Sequence, residues 1–289
     1  MRARLPDRDG HVDNDGVRIG YEVHGNGIPT LLLMPTWTII HSRFWKAQVP
    51  YLARHHRVVV YDGPGNGRSD RPLDPAAYGV DAHVAGAVAV LDATDTDRAV
   101  VVSLSKAVNW SLKLTADHPE RVLGQVFIGP SVDLAPRTGA RARSVDTFYD
   151  VIEDPQGWEK NNAQYWLHHY HDFVEFFFSQ CHLEAHSTKQ CEDAVGWALE
   201  TTPEILLADA QAGVPDPDTV LRWCAQVDSP SLVIHGTDDV ISPCARGRAL
   251  AEAIGGRLVV VHGGGHIPLA RDPVKVNRLL HTFAERVAA

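Results

Sequence analysis

The chain has 289 residues, 44% of them hydrophobic, and a formal net charge of −9. That length and apolar content allow one large domain with an insertion, or two small domains, while the acidic balance disfavours nucleic acid and anionic membrane surfaces as partners. No uncharged apolar run approaches the ~18 residues of a membrane span, and the opening Met1-Arg2-Ala3-Arg4-Leu5-Pro6-Asp7 leads into polar sequence rather than the apolar stretch of a signal peptide.

In chain order, Val17 to Val23 reads as an alternating strand. Thr30 to Met34, Arg57 to Tyr61, Ala99 to Val102 and Val122 to Ile128 follow as short apolar runs. Such runs suit strands buried on both faces of a parallel sheet. Helical segments fall between them at about Trp45 to Arg54, Asp81 to Ala93 and Lys106 to His118. This rhythm predicts an α/β fold with a doubly wound, mostly parallel sheet. It stops near Asp133. From 134 to 225 the chain is charged and aromatic, with several helices expected and no convincing strand. The pattern resumes with Ser231 to Ile234, a helix from Cys244 to Ile254, a strand from Arg257 to Val261 and a last helix from Val274 to Val287. The expected organisation is a core of 1–133 and 226–289 with a helical cap inserted at 134–225.

Ser105 lies where the run Ala99 to Val102 gives way to Ser103-Leu104-Ser105-Lys106-Ala107. A serine flanked two positions away by small residues, between strand and helix, fits the strained turn of a nucleophile elbow, here with Ser103 and Ala107 in place of the usual glycines. Functional residues of open α/β sheets collect at the carboxyl ends of strands. The strand ending at Ile234 leads into His235-Gly236-Thr237-Asp238-Asp239, and the one ending at Val261 into His262-Gly263-Gly264-Gly265-His266-Ile267-Pro268. The chain order is serine, acid, histidine.

Those segments, with Leu31 to Thr36, Tyr61-Asp62-Gly63-Pro64-Gly65-Asn66-Gly67-Arg68-Ser69-Asp70 and His118-Pro119-Glu120-Arg121-Val122, resemble the α/β-hydrolase superfamily over nearly the whole chain. The resemblance implies an α/β-hydrolase fold with a serine nucleophile, Ser105, and a base, His266. Similar sequences place the acid three residues after the glycine, which selects Asp239; some place it after the earlier strand, which makes Asp133 the alternative acid. The oxyanion hole would be built from the amides of Lys106 and Thr36. Relatives usually carry His-Gly where this chain has Met34-Pro35, but the donor position itself falls on Thr36, with Trp37 beside it lining the pocket. Pro35 to Ser42 and His186 to Gln190 also look like stretches of actinobacterial hydrolase-like domains.

Lys106 directly after the nucleophile reads as a solvated helix-start residue or as a cation tuning the site or contacting an acidic substrate. The aromatic 156–178 segment supplies Tyr165, Trp166, Tyr170, Phe173 and Phe177 as expected substrate-binding residues. His168, His169 and His171, and His182 with His186, follow no established ligand pattern, so no metal and no cofactor are expected. Asp62 with its glycines reads as a structural turn, since no Lys-Ser/Thr pair follows as a P-loop requires. Relatives of the dehalogenase and epoxide-hydrolase type use aspartate at the elbow, which Ser105 disfavours.

The expected activity is therefore an esterase, lactonase or thioesterase acting on a small-molecule substrate of middling size and largely apolar character. Acyl transfer or cyclisation by the same residues, and ligand sensing without catalysis, are the alternatives. Cys181, Cys191, Cys224 and Cys244 form no CxxC pair, which points to free thiols and a cytoplasmic location. A homodimer is the oligomeric option left open.

Overall fold

Strands β1 (Arg8–Asn14), β2 (Val17–His24), β3 (Thr30–Leu33), β4 (Arg57–Tyr61), β5 (Ala99–Leu104), β6 (Val122–Ile128), β7 (Ser231–Gly236) and β8 (Arg257–Val261) form one sheet in the order β1-β2-β4-β3-β5-β6-β7-β8. The computed structural model describes residues 4–137 and 139–289. Met1, Arg2 and Ala3, which open the N-terminal reading, and Thr138, inside the expected insertion, lie outside the described residues. From β4 to β8 every pairing is parallel; β1 with β2 and β2 with β4 are antiparallel.

The parallel strands are the β-branched runs of the sequence, and their alternation sorts side chains onto two faces. Leu32, Val59 and Val101 pack on one face with Val84, Ala87 and Leu91 of α2 (Val80–Ala93) and Trp110 and Leu114 of α3 (Ala107–Asp117). Leu31, Leu33, Val58, Val60, Val100 and Val102 pack on the other with Leu52 of α1 (Val49–Leu52) and with Val276, Leu280 and Ala284 of α11 (Pro273–Ala288). Helices α9 (Cys244–Ala253) and α10 (Pro268–Arg271) flank β8 in sequence.

β1 escapes a search for apolar runs because it is an edge strand, Arg-Asp-Gly-His-Val-Asp-Asn, with alternating exposed and half-buried positions. Asp15 and Gly16, at φ 53° and 80°, close its hairpin with β2. The helix expected from Trp45 to Arg54 is instead a 3₁₀ turn, Ser42–Trp45, and then α1, restarted with Pro50 in its first turn.

Between β6 and β7 the chain forms α4 (Gly139–Asp146), α5 (Ala163–Cys181), α6 (Thr188–Ala198), α7 (Pro203–Gln211) and α8 (Pro217–Cys224). α5 breaks at His169, whose φ of −136° and ψ of 40° leave the helical region. The sequence reading carries the insertion to 225, but α8 lies against the sheet layer. Its Val220 and Cys224, one turn apart, pack with Val108 and Leu112 of α3 and Leu250 of α9. No helix among the described residues is long and apolar enough to cross a membrane.

The chain runs from β3 to β4 on one side and later to β5 on the other, so the sheet's switch point lies between β3 and β5. A crevice opens outside the carboxyl ends of two such strands. Thr36 and Trp37 follow β3 there, and Ser105 follows β5.

Candidate active site

Ser105 holds φ at 58°, a left-handed conformation that costs a non-glycine residue about 1–2 kcal/mol. Its amide donates to the Ile128 carbonyl at 3.0 Å, and its carbonyl accepts from the Val108 and Ser131 amides at 3.2 Å each. These bonds fix the turn between β5 and α3. Ser103 and Ala107 on either side are fully buried; side chains larger than these would have no room. Ser103 Oγ also bonds Ser111 Oγ at 2.8 Å, a link glycine could not make.

Ser105 Oγ lies 2.9 Å from His266 Nε2, and His266 Nδ1 lies 2.8 Å from Asp239 Oδ2. A carboxylate only accepts, so Nδ1 carries the hydrogen and Nε2 is left to accept from the serine hydroxyl. Asp239 Oδ1 accepts from the Ile241 and Ser242 amides at 2.8 Å each. Its Oδ2 also accepts from His235 Nε2 at 3.1 Å, and the same nitrogen lies 2.9 Å from the Ser242 carbonyl. Both neighbours are acceptors, so His235 Nε2 is protonated. Burial pushes the Asp239 carboxyl up, but His266 and His235 more than offset this and hold it below the usual carboxylate range. His235 is the partner that sequence reasoning missed; its only signal is its position four residues before the acid.

Two glycines make space for the histidine loop. A Cβ on Gly129, just after β6, would stand 2.9 Å from the His266 carbonyl and 3.4 Å from its Nδ1. A Cβ on Gly236 would collide with the Gly264 and Gly265 carbonyls.

Asp133 lies elsewhere in the network. Its carboxylate pairs with the guanidinium of Arg246, a fully buried side chain whose Nε donates to the Ala135 carbonyl at 2.7 Å. The structure therefore gives the imidazole to Asp239 and not to the alternative acid.

Among the described residues, the amides of Lys106 and Thr36 have no hydrogen-bond partner. Thr36 Oγ1 donates to the Leu104 carbonyl at 2.8 Å, tying the segment after β3 to the end of β5. The Lys106 side chain is not a freely solvated helix-start residue. Its ammonium stands 2.7 Å from Oδ2 of Asp209, a fully buried carboxylate of α7. Thr38 Oγ1 reaches Oδ1 of the same group at 3.3 Å. The charge is neutralised in place rather than offered to solvent. On the α3 side His83 stacks on Trp110 at 3.5 Å; burial, then the Lys106 charge, holds its imidazole well below its ordinary value, so it stays neutral.

Trp37 is half-buried among rings of the insertion: Phe177 at 5.1 Å, Trp166 at 5.8 Å and Phe173 at 6.5 Å between centroids. Tyr170 is drawn away, its hydroxyl donating to the Ala198 carbonyl at 2.9 Å, and burial raises its pKa. Tyr165 also stands apart. Its hydroxyl donates to Asp172 at 2.6 Å, and it lines an outer cleft with Glu153, Lys160 and His168. Burial, then Asp172, pushes its phenol up to about 12. Asp62 serves its own turn, accepting from the Ser42 amide at 2.8 Å and the Arg68 amide at 2.9 Å.

Residues 29–273 match the sequence profile of the alpha/beta hydrolase fold family. The RutD protein of Pseudomonas syringae pv. syringae, named for carbamate hydrolysis, is 26% identical over 255 residues, 84% of this chain and 88% of that protein. Among solved structures, an esterase from a Rhodococcus species is 25% identical with a TM-score of 0.77, covering 97% of this chain and 98% of that one. An N-acyl homoserine lactone degrading enzyme is likewise 25% identical, with a TM-score of 0.74 over 95% of this chain and all of the other.

Proposed function

Because the chain belongs to the alpha/beta hydrolase fold family, we propose that it is a serine hydrolase that cleaves an ester, thioester or lactone through an acyl-enzyme. The observation that carries this reading is the continuous hydrogen-bonded line from Ser105 Oγ through His266 to Asp239, with Ser105 held in its strained turn.

The chemistry follows from the donors. His266 Nε2 takes the Ser105 proton as Oγ attacks the acyl carbon. The oxyanion that forms meets the unpartnered Lys106 and Thr36 amides, where preorganised donors contribute most. The bond to the leaving group then breaks, and the imidazolium gives its proton to the departing oxygen or sulfur. A water molecule repeats the sequence: His266 takes its proton, the hydroxyl oxygen attacks the acyl carbon, and the proton returns to Ser105 Oγ as the acid is released. Asp239 holds the imidazole in the needed tautomer and stabilises its cation.

The rings around Trp37 favour an acyl or alcohol portion with an apolar body. Relatives named as a carbamate hydrolase, an esterase and an N-acyl homoserine lactone degrading enzyme all act on compounds with a carbonyl joined to a heteroatom, which supports this reaction class over a particular substrate. Four free thiols, two of them buried, support a reducing, cytoplasmic setting.

A fluorophosphonate probe tests the proposal. Purified protein should label at Ser105 and hydrolyse p-nitrophenyl esters; Ser105→Ala should abolish both, and His266→Ala should slow both. Folded protein that neither labels nor turns over any short acyl ester would overturn it in favour of a ligand-binding role.

A further inference from the structure

At the end of the sheet opposite Ser105, two imidazoles meet nitrogen to nitrogen. His56 immediately precedes β4 and so stands at a strand's amino end, whereas Ser105, Asp239 and His266 lie beyond carboxyl ends. The His56 side chain is fully buried, and its Nε2 lies 2.9 Å from Nδ1 of His281 on α11. Glu285, one helical turn beyond His281, brings Oε1 to 4.0 Å from the same His56 nitrogen. One donor atom from each of the three falls within 4.8 Å of the others. Among the described residues no other histidines, cysteines and carboxylates gather in this way. His168, His169 and His171, which the sequence makes conspicuous, are exposed on α5.

We propose that His56, His281 and Glu285 form a binding site for a divalent transition-metal ion of the zinc class. Two imidazoles and one carboxylate are the donors that Zn²⁺ and its neighbours take, whereas Ca²⁺ and Mg²⁺ want oxygen alone. Ligands about 2.0–2.1 Å from a tetrahedral ion stand roughly 3.3 Å apart, and the distances here bracket that value, so modest rotamer shifts would admit the ion. The i, i+4 spacing puts His281 and Glu285 on one face of α11, turned to the segment that carries His56.

His56 is suited to the role because its buried ring already stands against the other two donors. For both nitrogens to ligate, the hydrogen now shared between the two rings moves to the far nitrogen of the ring that carries it. The ring of His55, 4.6 Å from that of His281, crowds the site from one side. A bound ion would pin α11 to the chain just before β4, adding to fold stability and leaving the chemistry at Ser105 untouched.

The experiment uses the full chain stripped with chelator and titrated with zinc chloride, followed by calorimetry and thermal unfolding. One equivalent should bind and Tm should rise. His281→Ala should weaken binding by at least about 100-fold and Glu285→Gln by about tenfold, comparable to or beyond the loss caused by removing outer partners of a metal site. Both helix positions are accessible enough to be changed without opening the cavity that His56→Ala would leave. Cobalt in place of zinc should give the intense visible band of a tetrahedral ion in the wild type and not in His281→Ala. Absence of saturable binding, or equal affinity in either variant, would overturn the site and leave a hydrogen-bonded histidine pair. Fluorophosphonate labelling of Ser105 should be the same with and without zinc.

Discussion

The Lys106 ammonium and the Asp209 carboxylate, 2.7 Å apart, join the residue after Ser105 to a helix of the insertion. Thr38 bonds the same carboxylate, so Asp209 grips both segments that carry the candidate oxyanion donors, Lys106 and Thr36. Asp209→Asn should therefore lower kcat more than it raises KM. Removing one partner of a buried pair should also cost about 3 kcal/mol in urea unfolding, the low end for such pairs because Lys106 keeps some access to water. Asp209→Asn combined with Lys106→Met should cost less than the two single changes added together, as expected of groups in contact. Full additivity would mean that the pair does not act as a unit.

The identity of the acid can be read from two amides. Asp239→Asn should drop kcat by about 10⁴-fold, because the imidazole is then offered the wrong tautomer. Asp133→Asn should leave kcat nearly unchanged and lower stability instead, since it abandons the buried Arg246 guanidinium. Steady-state kinetics on one chromogenic ester, beside urea unfolding of each variant, gives both results.

Acid should loosen the fold before it reaches the carboxylates. Burial, and then His266, lowers the pKa of His182 to about 4, while an unfolded histidine titrates near 6.5. The unfolded chain binds the extra proton first, so the stability from keeping this ring neutral is full above about pH 6.5 and lost as pH falls toward 4. His41 and His56, lowered chiefly by burial, act in the same direction. A plot of Tm against pH should rise between 4 and 6.5 and should be flatter in His182→Leu. An unchanged slope would remove His182 from this account.

Trp37 should govern which acyl groups are accepted. Trp37→Ala should raise KM for esters with aromatic or medium-length acyl chains by about tenfold or more, the equivalent of about 1.5–3 kcal/mol of lost apolar burial. Acetyl esters should be little affected. An equal change across the series would place the tryptophan outside the substrate's path.

The turn at Ser105 sets activity against stability. Glycine accepts a φ of 58° that alanine does not, so Ser105→Gly should be about 1 kcal/mol more stable than Ser105→Ala, with both inactive. Chemical unfolding of the two variants decides it.

Much of this was legible in the sequence because parallel strands announce themselves as β-branched runs, and Ser105, Asp239 and His266 each follow one. What lay hidden has physical causes. β1 is a polar edge strand that packs only one face. α8 looks like a continuation of the charged insertion until its Val220 and Cys224 are seen against α3. Asp209, His235 and the His56–His281 pair act through contacts between distant parts of the chain or through one buried ring, and no local pattern marks them. The aromatic segment was visible as a whole, but which rings meet Trp37 depends on the break at His169, which sequence periodicity does not reveal.

Gly129 and Gly236 give the His266 loop its position by what they lack. The site's alignment therefore has a tolerance of about one carbon atom at the ends of two neighbouring strands, β6 and β7. An alanine at Gly129 meets the histidine's own carbonyl and ring. Random mutagenesis scored for activity should accordingly mark these two positions as strictly as Ser105 and His266. For anyone moving this site to another scaffold, the empty volume behind the histidine must be transplanted along with the side chains.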